Sequence, residues 1–329
     1  MKVSLITGGA GFIGSHVTRE VLKLNHKVII LDDLSGGFAE NIPSNATLIR
    51  GSITDKALVA SLFQTYKFDY VYHLAAYAAE GLSHFIRRFN YENNLIGSIN
   101  LINESVKGGI KCFVFTSSIA VYGKGQLPLR EEMTPQPEDP YGIAKLAVEQ
   151  DLKCAHEMFG LNYITFRPHN VYGEYQNLGD RYRNVVGIFM NQLMQGQPLT
   201  IFGDGSQSRA FSYVGDIAPL IASCINNTVA YNQVINIGAD QHFTVKELAY
   251  EVMNAMDLKG DLIFTEARNE VVHAWSDHSK CNQIFGIKPH TSLPVGLRKM
   301  ATWARQTGIK HSKKFDDIEI TLKLPRTWR

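Results

Sequence analysis

The sequence predicts an α/β fold: a doubly wound parallel sheet with a smaller, interwoven α/β lobe. Three features predict it. Short apolar runs alternate with amphipathic helical stretches through the first half of the chain, the pattern of a parallel sheet with helices on both faces. A turn containing Gly8, Gly11 and Gly14 joins the first run to the first helical stretch. An acidic pair, Asp32 and Asp33, closes the second run.

Val3–Ile6 is the first strand, and Ile13, Val17 and Val21 mark one face of the helix after it. Glycines at this GxxGxxG spacing permit a tight turn and let the backbone approach a pyrophosphate. The free N–H groups at the helix start attract that anion. Lys27–Leu31 is the second strand. Asp32 follows it directly, where a carboxylate meets the hydroxyls of an adenosine ribose and repels a 2′-phosphate, so the expected cofactor is NAD and not NADP. Asp33 reads as the start of the loop leading to Gly36 and Gly37.

Thr47–Arg50 is the third strand, 57–66 a helix, and Tyr70–Leu74 the fourth strand. Ala75 and Ala76 leave its end open to a cofactor, while His73 reads as a strand side chain with a local hydrogen-bond partner. Residues 90–107 read as a helix, with Leu95, Ile99, Ile102 and Val106 at helical spacing and Asn94 placed to turn towards the cofactor. Lys111–Phe115 is the fifth strand and ends at Thr116–Ser118. A helix from Tyr141 leads to the sixth strand, Leu161–Phe166. Cofactors in such sheets bind at the carboxyl ends of the strands. The glycine turn, Asp32, Ala75, Ser118 and Arg167–Asn170 are therefore expected on one edge.

The second half is read more coarsely. Helices are expected at 184–195, from Thr244 to about Met256, at 277–285 and within 293–306; strands are expected at Leu199–Phe202, 233–238 and 262–264. Thr244 and Glu247 have the spacing of a capping box. The tail from His311 is basic and then strand-like over Ile318–Leu322. Residues 1–175, with a returning segment at about 212–240, are expected to form the cofactor domain. Residues 176–211 and 241–308 would form the substrate lobe, and 309–329 a C-terminal tail.

The 329 residues are 45% hydrophobic and 19% charged, with a net charge of +2, ordinary values for a soluble enzyme and against a dedicated nucleic-acid binder. The cluster of Lys310, Lys313 and Lys314 reads as a solvated end. Cys112, Cys154, Cys224 and Cys281 form no CxxC pair, so buried thiols are expected and no metal site. No apolar run is long enough to span a bilayer, and no signal-peptide pattern precedes the first strand. The expected setting is cytoplasmic, without membrane or nucleic-acid partners.

Tyr141 and Lys145 would sit one turn apart on a helix face. A free tyrosine titrates near about 10 and is a poor base at neutral pH. An adjacent ammonium favours the phenolate, so the pair can exchange a proton with a substrate hydroxyl.

Together these residues carry a resemblance. The runs are Thr7–Gly14, His73–Ala76, Thr116–Ser118 with Val121–Gly123, Tyr141 with Lys145, Arg167–Gly173, and Ile201–Arg209, with Asp32, Asn94 and Asn184. The chain resembles the extended short-chain dehydrogenase/reductase superfamily, in its branch of NAD-dependent nucleotide-sugar epimerases and dehydratases. The resemblance implies a Rossmann-type NAD-binding sheet. It implies Tyr141 as the acid/base on a sugar hydroxyl, Lys145 as the residue that binds the nicotinamide ribose and lowers the Tyr141 pKa, and Ser118 as the third catalytic member. It places the cofactor against Gly8, Gly11, Phe12, Ile13, Gly14, Asp32, Ser52, Ile53, Leu74, Ala75, Ala76, Asn94, Tyr141 and Lys145. Ser52 stands where the family has an Asp near the adenine. Asn170, Asn184, Arg209 and Arg268 are implied in binding the sugar or its diphosphate, although the run around Arg268 and Asn269 is one residue short of the familiar pattern. Ser83, in the unusual segment from Glu80 to Arg88, is a further candidate substrate contact. A homodimer through the helices from Asn90 and Tyr141 is also implied.

Within the branch, dehydratases and decarboxylases resemble one another in carrying carboxylates just after the hydroxyl residue. Here Ile119 and Ala120 follow Ser118 and transfer no protons. The reading that remains is epimerisation at C4 of a UDP-hexose or UDP-N-acetylhexosamine through a 4-keto sugar. The small Ala274 is expected to leave room for an N-acetyl group. Arg167–Gly173 also resembles the corresponding run of GDP-mannose 3,5-epimerases, so a 3,5-epimerase, a 4-reductase or a dehydratase are the alternatives. A non-catalytic NAD-binding protein would be expected to lose the Tyr or the Lys.

Overall fold

The computed structural model describes residues 1–268, 270–286, 290–311, 314–325 and 328. Asn269 and Lys313 lie outside the described residues.

The first half builds the sheet. Strand β1 (Val3–Thr7) leads through the glycine turn to helix α1 (Phe12–Lys23), then β2 (Lys27–Asp32), β3 (Thr47–Arg50), α2 (Lys56–Tyr66) and β4 (Tyr70–His73). The expected helix at 90–107 is longer and interrupted. Two short helices, α3 (Glu80–Ser83) and α4 (Arg87–Tyr91), precede a π-turn at Glu92–Ile96 and α5 (Gly97–Gly108). Then come β5 (Cys112–Thr116), α6 (Pro140–Phe159), β6 (Tyr163–Pro168) and β7 (Val171–Tyr172). Asp139 caps α6, accepting the Gly142 N–H at 2.9 Å, and Pro140 presets the first turn.

The rest of the chain runs α7 (Val185–Met194), β8 (Leu199–Phe202), β9 (Ser208–Ala210), β10 (Ser212–Tyr213), α8 (Val214–Ser223) and β11 (Gln233–Ile237). It continues with β12 (His242–Thr244), α9 (Val245–Met256), β13 (Leu262–Thr265), β14 (His273–Ala274), α10 (Ser279–Phe285) and α11 (Leu293–Thr307). The capping box of Thr244 and Glu247 is present. Seven parallel strands form the main sheet in the order β11-β6-β5-β4-β1-β2-β3. The chain reverses direction of growth beside β1, which opens a crevice at the strand ends there. Smaller sheets pair β10 with β7, β13 with β8, and β9 with both β12 and β14.

Two buried apolar clusters cover the two faces of the sheet. Ile6, Ile30, Tyr72 and Val114 point to one, with Val17 and Val21 of α1. Leu5, Ile29, Val71 and Phe113 point to the other, with α2, α5 and α6. Adjacent strand residues face opposite sides, so strands buried on both faces read as continuous apolar runs.

A buried ion pair ties α6 to β6. Arg167 and Glu149 lie 2.5 Å apart, and Ser117 donates to the same carboxylate at 2.5 Å. Tyr122 packs under the guanidinium and donates to Asn236 on β11 at 2.8 Å. This network ties together the ends of three strands, β5, β6 and β11.

Two expectations fail here. Residues 318–322 form no strand. An apolar alternation makes a strand only where a sheet edge accepts it, and here the tail lies over α3 and α4. Phe315, Ile318, Leu324 and Trp328 pack there with Ala79, Leu82 and Ile86, while Leu322 is exposed. Cys154 is exposed on α6, unlike the buried Cys112 and Cys224.

Candidate active site

A cleft of about 1100 Å³ runs along the carboxyl edge of the sheet. It is lined at one end by Gly8, Gly11, Phe12, Ile13, Gly14, Asp32, Ser52 and Ile53, and in the middle by Leu74, Ala75, Ala76, Ser118, Tyr141 and Lys145. Asn170, Asn184, Arg209 and Arg268 line the other part.

The glycine turn has the geometry of a dinucleotide cradle. Gly8 adopts φ +72°, and a Cβ there would stand 2.7 Å from the Ala75 nitrogen. A Cβ on Gly14 would lie 2.0 Å from the Gly8 carbonyl oxygen. Only hydrogen fits at either place, and the start of α1 is left open towards the cleft. Asp32 accepts N–H groups from Ala10 at 2.9 Å and Leu34 at 2.8 Å. Burial pushes its carboxyl up, and those two N–H groups pull back. The cradle, the acidic strand end and the size of the cleft fit NAD.

Tyr141 and Lys145 occupy successive turns of α6, both buried. The Lys145 ammonium donates to the Thr116 carbonyl at 2.7 Å and stands 5.8 Å from the centre of the Tyr141 ring. Burial drives the Lys145 pKa down to about 7, with Glu149 opposing. Burial likewise pushes the Tyr141 phenol up, Glu80 adds to the rise, and the Ser118 hydroxyl bonded to it pulls the other way. The net direction is the reverse of the lowering expected from Lys145. Desolvation is the largest cause, and it favours the neutral phenol.

The low Lys145 pKa has a measurable consequence. An unfolded lysine titrates near about 10.4, whereas the folded group loses its proton near 7. Between these values the unfolded chain binds more protons, so this group's contribution to stability rises with pH. In urea unfolding of the cofactor-free protein, Lys145→Met is expected to gain most over wild type at pH 7 and to lose that advantage towards pH 10.

Two candidates lie off the cleft wall. Asn94 is buried in the π-turn; its amide accepts the Tyr77 N–H at 2.7 Å and donates to the Tyr77 carbonyl at 3.1 Å. It fixes Tyr77, which does line the cleft. Ser83 is buried, donates to the Glu80 carbonyl at 2.6 Å, and accepts the Tyr141 N–H at 3.3 Å. It staples α3 to α6. His73 is bracketed by Thr7 and Ser98, at 2.7 and 2.8 Å.

At the other part of the cleft, Asn170 and Asn184 both hold left-handed backbone, at φ +38° and +64°. Asparagine tolerates that region better than most residues. The Arg209 guanidinium donates to the carbonyls of Ser208, Val271 and Val272. Arg268 is sandwiched between the rings of Phe202 and Trp328, 3.2 and 4.5 Å from their centres. Burial pushes its pKa down to about 10. Ala274 is packed in an apolar cluster with Ile119, Val121, Tyr122 and Leu129. It does not line the cleft, so its small size opens no room there.

Several cleft residues escaped the sequence. Tyr77 faces Arg183, which pairs with Asp180. Trp328 arrives from the tail, and Glu80 from α3. No short motif announces them. The nearest signal was the polar segment from Glu80 to Arg88. Ile119 and Ala120 carry no carboxylate, yet Glu80 brings one to the cleft from another element. Among the described residues no group of acidic, His or Cys side chains could hold a metal. No described helix is long and apolar enough to cross a membrane.

A dinucleotide cradle facing a Ser, Tyr and Lys across one sheet edge defines an extended short-chain dehydrogenase/reductase. The chain belongs to the NAD dependent epimerase/dehydratase family, whose model matches residues 4–238. UDP-glucose 4-epimerase from Thermotoga maritima, solved with UDP-glucose, is 32% identical over 93% of this chain and 99% of its own, with a TM-score of 0.88. UDP-N-acetylglucosamine 4-epimerase from Methanobrevibacter ruminantium, in complex with UDP-N-acetylmuramic acid, is 32% identical over the same shares, with a TM-score of 0.86. A UDP-N-acetyl-alpha-D-glucosaminuronate decarboxylase of Bacillus cytotoxicus is 29% identical over 93% of this chain and 98% of its own.

Proposed function

We propose that the protein inverts C4 of a nucleoside-diphosphate hexose, a UDP-hexose or UDP-N-acetylhexosamine, with NAD held between turnovers. The observation that carries the reading is the single cleft shared by the cradle and by Ser118, Tyr141 and Lys145. Ile119 after Ser118 turns into the apolar cluster, so that run supplies no second proton carrier. This favours epimerisation over the decarboxylation of the more distant relative.

Gly8, Gly11 and Gly14 would hold the pyrophosphate and Asp32 the adenosine ribose. Bound there, NAD supplies the hydride acceptor for oxidation at C4 and the donor for its reversal. In its phenolate form, which bound NAD and a charged Lys145 would favour, Tyr141 takes the proton of the C4 hydroxyl, and it returns that proton to the same oxygen once the 4-keto sugar has presented its other face. Ser118 orients the same oxygen, and Lys145 binds the nicotinamide ribose. Ser118 already bonds the phenol, and the phenol form suits the return step. Arg209 and Arg268 would meet the diphosphate, as charge-assisted donors do. The wide cleft leaves room for the 4-keto sugar to turn over.

We further read residues 1–175 with 212–240 as the cofactor domain and 176–211 with 241–308 as the substrate lobe. A cytoplasmic homodimer through α6 and the helical stretch that runs from Asn90 into α5 completes the reading. Exposed Ile143, Met158 and Phe159 on α6 support that contact, and sedimentation would measure it. The function is tested by incubating the protein with a panel of NDP-sugars and reading products by NMR. A C4 epimer supports it; a 4-keto-6-deoxy or decarboxylated product contradicts it.

A further inference from the structure

Glu80 opens α3 and lines the cleft, open to the cavity yet ringed by protein. Its main chain is fixed. The carbonyl accepts from Ser83, which also accepts the Tyr141 N–H, so α3 is stapled to the first turn of α6. Among the described residues its carboxylate has no hydrogen-bond or ion-pair partner. The charged groups that face it are Asp139, Arg209 and Glu270, with the Tyr141 phenol beside them. Two of these repel it and one attracts it, and Arg209 is already tied to three carbonyls. The surroundings therefore leave a negative charge uncompensated on the cleft wall.

We propose that Glu80 is the charge filter of the sugar subsite: its unpaired carboxylate, within electrostatic reach of both Tyr141 and Arg209, admits neutral hexoses and repels those with a carboxylate at C6. The proposal rests on the nucleotide-sugar reading of the cleft. A sugar with its C4 hydroxyl on Tyr141 and its diphosphate towards Arg209 must pass against Glu80. Neutral hydroxyls can donate to that carboxylate. A second carboxylate meets a like charge across the cleft, and the two repel. Burial pushes the Glu80 carboxyl up to about 7. The filter is therefore charged at pH 8 and largely discharged at pH 6.

The test is calorimetric titration of UDP-glucose and UDP-glucuronate into the NAD-loaded Tyr141→Phe protein, whose turnover is expected to be slowed by about a hundredfold or more, and into the Tyr141→Phe/Glu80→Gln protein. At pH 8 the first is expected to prefer UDP-glucose by about tenfold or more. Glu80→Gln is expected to close most of that gap through tighter UDP-glucuronate. The gap in the first protein is also expected to narrow at pH 6, and the Glu80→Gln protein is expected to lack most of that narrowing, which separates Glu80 from Lys145, a group that titrates over the same range. A gap unchanged by either manoeuvre, or absent at pH 8, overturns the filter. Binding of neither nucleotide overturns the nucleotide-sugar reading itself and, with it, the filter.

Discussion

Replacing Tyr141 with Phe is expected to lower kcat by about 10²–10⁴-fold, the range for a positioned acid/base, with NAD still bound. The substitution removes one oxygen and keeps the ring. Tyr141 is buried in the first turn of α6, whose cap by Asp139 and Pro140 does not involve the phenol. The cradle at Gly8 and Gly14 belongs to another element and is untouched. The loss should fall on kcat, because the C4 oxygen still has Ser118 while the proton has no carrier. Turnover of UDP-glucose, and the NAD released on denaturation, measure the two effects separately. A loss under about tenfold would remove Tyr141 from the mechanism.

Replacing Glu149 with Gln is expected to cost about 3–5 kcal/mol of stability, the usual result of stripping one partner from a buried ion pair. Arg167 is 3% exposed and would stay behind as an uncompensated cation. Its Nη1 already lacks a partner, so no reserve acceptor is at hand. Ser117 would also lose its charged acceptor. A second effect reaches the site. Glu149 is the group that opposes the fall of the Lys145 pKa, so the variant should hold less ammonium at neutral pH and lose activity there first. Urea unfolding reads the first effect and a pH–kcat profile the second. A stability change under about 1 kcal/mol would show that the pair is compensated elsewhere.

The cofactor half was legible because its signals are local. The glycine turn, Asp32 and the apolar runs each declare themselves within a few residues, and the strands paired in register. Ser118, Tyr141 and Lys145 came together because strand ends of a parallel sheet share an edge. The second half depends on partners far apart in sequence. Ser208–Ala210 becomes a strand only between His242–Thr244 and His273–Ala274, and three residues alone carry no period. Ile318–Leu322 shows the converse, a period without an edge to join. Glu80 and Trp328 reach the cleft through tertiary packing of α3 and the tail, which no spacing rule encodes. The direction of the Tyr141 shift was missed for a related reason. Spacing predicts which charges are near, but only the packed structure shows how strongly burial opposes them.

The central claim is that hydride leaves C4 and returns to C4. UDP-glucose carrying deuterium at C4, incubated with the NAD-loaded protein, tests it directly. The predicted product is UDP-galactose that retains the deuterium at C4, with no net formation of NADH. Loss of the label to solvent, or a product altered at C5 or C6 with C4 unchanged, would contradict it.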